Sequence, residues 1–111
     1  INMEEVCMIN PHLLEKEIVI LGTGERGRRA FYYLLNEKVK IKYFADRNKE
    51  IIGTHIIGHE VIYEDELIGK DYNVIIASEY WEDIKERLEK KGIDNLFVWN
   101  YEKANTENVY I

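Results

Sequence analysis

Ile18-Val19-Ile20-Leu21-Gly22-Thr23-Gly24-Glu25-Arg26-Gly27 is the stretch that decides the fold. With Glu17 ahead of it, the run to Leu21 is β-branched and aliphatic throughout, the pattern of a strand buried on both faces. The chain then breaks into Gly-x-Gly-x-x-Gly and resumes with Ala30, Phe31, Leu34 and Leu35 at helical spacing through about Glu37. That apolar stripe can lie on a sheet. In a strand, glycine turn and helix joined directly, each glycine has its own task. Gly22 permits the tight turn out of the strand, Gly24 lets the backbone approach a pyrophosphate, and Gly27 lets the helix pack close to the sheet. The unpaired N–H groups and dipole at the helix start then make an anion site without any catalytic side chain.

A chain of 111 residues suits one domain with one core, and no second lobe is expected. The first residue is Ile1 rather than Met, which fits a piece of a larger parent protein. Hydrophobic residues at 46% and charged residues at 32% are the balance of a folded globular domain. A net charge of -6 argues against a nucleic-acid partner, because phosphate backbones are bound through a surplus of Lys and Arg. No apolar run approaches membrane-spanning length and no charged-then-apolar leader opens the chain, so a cytoplasmic location with no membrane partner is the default. Cys7 is the only cysteine and sits among apolar neighbours, which reads as a buried thiol and excludes a multi-cysteine metal cage.

Residues 1–16 form a lead-in with a weak helical pattern (Met3, Val6, Ile9, Leu13, Leu14), which Pro11 should end or kink near Asn10. Beyond the glycine loop, Val39 to Ala45 predicts a second strand that stops at the turn-forming Asp46-Arg47-Asn48. Gly53 and Gly58 suggest an irregular or hairpin excursion before a brief strand at Glu60 to Ile62, and Tyr63 to Ile68 reads as a turn or two of helix. Asn73 to Ala77 is another buried-strand run. Ser78 is placed to cap the next helix, which presents Trp81, Ile84 and Leu88 on one face and stops at Lys90-Lys91-Gly92. Asn95 to Trp99 makes a fifth strand, and residues 100–111 are a polar tail. The alternation predicts a single α/β Rossmann-like domain over residues 17–99. Its parallel sheet of about five strands would run in the order 3-2-1-4-5, with helices on both faces.

A lone Gly-x-Gly-x-x-Gly is a weak signal. Here it follows a strand, opens a helix, and is joined by Asp46 at the end of the next strand, 22 residues beyond Gly24. Asp46 is positioned to accept from the 2'- and 3'-hydroxyls of a ribose and to repel a 2'-phosphate, which favours NAD over NADP; Arg47 blurs that preference. Arg26, Arg28 and Arg29 oppose the helix dipole unless an anion is bound. Arg26 is carried as a ligand contact, whereas Arg28 and Arg29 read as a solvated face with a Glu25/Arg29 pair. Thr23 and Glu25 within the loop, and Ala77 and Ser78 across the switch point of the sheet, complete the expected cofactor contacts. His55 and His59 would share a face only in a helix, which their glycine neighbours oppose, so no metal site is expected. None of the eight tyrosines has a lysine four residues on, and no Ser/His/Asp set has recognisable context, so no catalytic residue is assigned.

The chain resembles a family of small Rossmann-like domains at the start of two kinds of bacterial surface-sugar protein. These are the sugar-nucleotide epimerase/dehydratases of polysaccharide biosynthesis and the left-handed-β-helix sugar acetyltransferases. The resemblance rests on Ile18 to Gly27, Tyr43-Phe-Ala-Asp-Arg-Asn48, Gly53 through Gly58 to Val61-Ile62, Glu64-Asp-Glu-Leu67 and Asn73-Val-Ile-Ile-Ala-Ser78. It implies an NAD-type binding module in the first group and a UDP-sugar or other nucleotide-sugar pocket in the second. Gly24-Glu-Arg-Gly27 is closer to the first, because the second commonly has Ser-Gly-His-Gly there. The leading expectation is therefore a nucleotide-binding accessory domain, for NAD before UDP-sugar, of a larger sugar or polysaccharide protein. A second is the cofactor half of an epimerase or reductase. A third is a fold kept for assembly, with an interface of Trp99, Tyr101 and Tyr110 and a homo-oligomer or other domains of the parent chain as partners.

Overall fold

Ile18 to Leu21 lies in β2 (Glu17–Leu21), whose apolar residues point alternately to the two sides of a sheet. Ile18 and Ile20 join Ala30, Phe31 and Leu34 of α1 (Glu25–Asn36) in one apolar cluster. Val19 and Leu21 join Leu88 of α2 (Trp81–Lys90) in the other. The helices thus cover opposite faces, which is why the strand carries no polar alternation. The computed structural model describes residues 10–99 and the backbone strand β1 (Glu4–Glu5). The buried thiol expected at Cys7, the tail at 100–111 and the aromatics Tyr101 and Tyr110 lie outside the described residues.

The remaining strands are β3 (Tyr43–Asp46), β4 (His55–Ile56), β5 (His59–Tyr63), β6 (Tyr72–Ile76) and β7 (Leu96–Val98). Six strands run parallel in the order β1-β7-β6-β2-β3-β5, and β4 pairs antiparallel with β5 at the outer edge. The five central strands thus have the Rossmann-like order expected, and the molecule is a mixed α/β domain. Three features depart from that expectation. The edge strand β4 is antiparallel, and a two-residue β1 lengthens the sheet beyond β7. The connection from β3 to β5 carries only a 3-10 turn (Lys49–Ile51) and the β4–β5 hairpin, where a doubly wound fold would place a helix.

Local differences have local causes. Pro11 opens the 3-10 helix Pro11–Glu15, since its missing N–H and fixed φ suit a first helical position and Asn10 Oδ1 accepts from His12 N at 2.9 Å; the helical pattern expected ahead of it lies outside the described residues. The strand expected from Val39 begins only at Tyr43, because residues 37–39 turn the chain out of α1 while Ile41 is buried beneath it. Trp99 is 4% exposed and packs against Tyr33 in a tilted ring contact with centroids 4.8 Å apart, so it belongs to the core. Among the described residues no helix is long and apolar enough to cross a membrane.

Candidate functional site

The glycine loop leaves β2 at its carboxyl end, and the three glycines differ in what they need. Gly22 has φ +124°, in the region that favours glycine, and a Cβ there would lie 2.7 Å from the carbonyl oxygen of Ala77. At Gly27 a Cβ would run into the carbonyl oxygen of Gly22, so helix and loop close only on a hydrogen. Gly24 is different. Its φ of -82° and ψ of -158° suit any residue, and a Cβ would meet nothing within 4 Å.

Gly24 is also the N-cap of α1 and gives that helix no side-chain cap. The first hydrogen bond of the helix runs from Arg28 N to Gly24 O at 3.1 Å, so the amides ahead of Arg28 stand before the ladder, at the positive end of the dipole. Above them lies a cleft of about 620 Å³, within the size range of small-molecule sites. Gly22, Thr23, Gly24, Glu25 and Arg26 form its loop side. Asp46 and Arg47 come from the end of β3, and Ala77 and Ser78 from the end of β6. Of the residues expected here only Gly27 is off the cleft, buried where helix meets loop.

Asp46 is half-buried and held from two sides. Thr23 Oγ1 donates to Oδ2 at 2.8 Å and Asn48 N donates to Oδ1 at 2.8 Å. A carboxylate has roughly four acceptor sites, so about two remain for a ligand hydroxyl pair. Arg29 pairs with Glu25 at 3.4 Å on the exposed face, as its spacing predicted. Ser78 does not cap α2: its Oγ accepts from Tyr80 N at 3.0 Å, ordering a turn, and the helix starts only after Tyr80. His55 is exposed in β4, while His59 Nδ1 bonds Ile57 O at 2.7 Å, and no metal-binding cluster exists among the described residues.

Glu64 and Arg87 border the same cleft and were not anticipated from the sequence. Glu64 opens the 3-10 helix Glu64–Leu67 directly after β5 and has no exposed surface. It accepts from Arg87 through both oxygens and from Lys91 Nζ at 2.8 Å; Lys91 also reaches Asp65 at 2.7 Å. Burial pushes the Glu64 carboxyl pKa up, but the hydrogen bonds and charges of Arg87 and Lys91 outweigh it and hold the group below the ordinary carboxylate value. The available signal was the i,i+4 spacing of Arg87 and Lys91, which puts both on one face of α2. Nothing local in the sequence joins that face to Glu64, 23 residues before Arg87.

The family described as C2185-like, N-terminal, matches residues 14–98. No protein of curated function matches the sequence. Among solved structures, the fold is similar to that in the crystal structure of UDP-D-quinovosamine 4-dehydrogenase from Vibrio fischeri, with a TM-score of 0.60 and 18% identity. The likeness covers 84% of this chain and 85% of that one, and at this identity it speaks for the fold alone.

Proposed function

We propose that this chain, which belongs to the C2185-like N-terminal domain family, is a nucleotide-binding domain that takes a dinucleotide, NAD foremost, in the cleft above its glycine loop. The observation that carries this reading is Gly24. The protein itself accounts for Gly22 and Gly27 by steric need, but at Gly24 there is room for a side chain and a helix start that a Ser would cap better. A glycine at the mouth of a cleft where nothing internal requires it fits the close approach of a pyrophosphate to the amides of α1. Asp46, aimed by Thr23 and Asn48, accepts the ribose hydroxyls, and Arg26 offsets phosphate charge. Service to a larger protein of sugar or surface-polysaccharide metabolism follows from the resemblance of the loop and strands to such domains. The solved structure with a similar fold is by title an enzyme of a UDP-sugar.

Calorimetric titration with NAD, NADP and a UDP-sugar tests the reading, with Gly24→Ser as the decisive variant. Stability is expected to hold or rise by a few tenths of a kcal/mol, while affinity for the dinucleotide falls about tenfold or more as the hydroxymethyl group blocks the amides. Absence of heat with every ligand at millimolar concentration sinks the proposal. A UDP-sugar bound in preference to NAD moves it to the nucleotide-sugar form of the same site.

A further inference from the structure

A carboxylate with no exposed surface is costly unless matched, and Glu64 is matched chiefly by Arg87 from α2. Arg87 approaches side-on, with Nε donating to Oε2 at 3.0 Å and Nη2 donating to Oε1 at 2.6 Å. This occupies one edge of the guanidinium fork. Nη1 has no hydrogen-bond partner among the described residues. The side chain is 26% exposed and lines the cleft together with Asp46 and Arg47. Its nearness to Asp46 registers electrostatically. The hydrogen bond to Glu64 raises its pKa most, burial opposes that, and the charges of Glu64 and then Asp46 add to the rise.

Resting on the dinucleotide reading above, we propose that Arg87 is a ligand contact that sets specificity at the Asp46 end of the cleft. Its free edge gives a ribose-borne phosphate a fixed cation, so that the site accepts a 2'-phosphorylated dinucleotide alongside the unphosphorylated one. Asp46 standing alone would repel such a phosphate. Here it already accepts hydrogen bonds from Thr23 and Asn48, and it has Arg47 next in the chain and Arg87 within electrostatic reach. Of the other carboxylates bordering the cleft, Glu25, Glu79 and Asp83 are exposed and screened by solvent, and buried Glu64 is shared between two cations, Arg87 and Lys91. Arg87 is instead held in one orientation by a part-buried, charge-assisted bidentate bond, the condition under which a guanidinium recognises phosphate.

Titration of the chain with NAD and NADP separates the possibilities. The wild type is expected to bind the two within about tenfold of each other, and Arg87→Gln to weaken NADP about tenfold or more while NAD changes less than about threefold. Retained NAD affinity reports that the variant is folded. Should the lone Glu64 unfold that variant, Glu64→Gln/Arg87→Gln compared with Glu64→Gln alone gives the same readout without a stranded buried charge. A wild type that prefers NAD by more than about tenfold overturns the inference. So does an equal loss of both ligands in Arg87→Gln, or a selective loss of NADP that follows Arg47→Gln and not Arg87→Gln. Wild type that binds neither dinucleotide fails earlier, at the dinucleotide reading itself.

Discussion

Gly27 and Gly24 are three residues apart and answer to different constraints. The hydrogen of Gly27 sits where a methyl group would meet the carbonyl oxygen of Gly22, a backbone atom that cannot swing aside. Gly27→Ala is therefore expected to cost about 3 kcal/mol or more, measured by chemical denaturation, well above an ordinary point substitution. Gly24→Ser should leave the same denaturation curve nearly unmoved. Both glycines are equally visible in the sequence as members of one motif. Their separate reasons are not, because the clash at Gly27 depends on how far the helix settles onto the loop, a distance set by the whole core.

The two α-helices end alike and differ at one position. In α2, Gly92 N bonds Glu89 O and Ile93 N bonds Leu88 O, both at 3.0 Å, with Gly92 at φ +83°. In α1, Lys38 N bonds Leu35 O at 2.9 Å and Val39 N bonds Leu34 O at 2.8 Å, with Lys38 at φ +62°. Both are Schellman endings whose flanking apolar residues, Leu88 with Ile93 and Leu34 with Val39, fall pairwise in the same apolar cluster, but only α2 places glycine at the left-handed residue. Lys38→Gly is expected to stabilise the protein by about 1 kcal/mol, read as a rise in denaturation midpoint, because the left-handed conformation strains a residue with a Cβ. The stop of α2 was legible from Lys90-Lys91-Gly92. The entry to α2 was misleading. Ser78 and Glu79 look like a cap and first turn, but Ser78 spends its oxygen on Tyr80 N and delays the helix to Trp81.

At the scale of the molecule, the order of the central strands was legible because four apolar runs and one glycine loop leave little else for a parallel sheet to do. The β4–β5 excursion was legible in outline from Gly53 and Gly58, but the Glu64 network was not, since it depends on contacts between segments that no local pattern links. That network has a consequence for pH. The Glu64 carboxyl is held below its ordinary value in the folded chain, so its contribution is fully present above the unfolded carboxylate pKa, near ~4.3. It is lost as pH falls through the folded value. Wild-type stability is expected to drop more steeply below about pH 4.3 than that of Glu64→Gln. At neutral pH that variant should be about 2 kcal/mol less stable, below the ~3–5 kcal/mol of a fully buried broken pair because Arg87 and Lys91 are partly solvated. Urea unfolding from pH 3 to 8, roughly, measures both effects.

The two outermost strands, β1 and β4, are each two residues long, and β4 runs against its neighbour. A sheet with full-length strands at its rims would offer every passing chain a ladder of unmet N–H and C=O groups. On the β4 side the described sheet narrows to a two-residue stub carrying exposed His55, which offers a passing chain little to pair with. On that side the inner strands, rich in Val, Ile and Phe, are thereby shielded from pairing with a second chain.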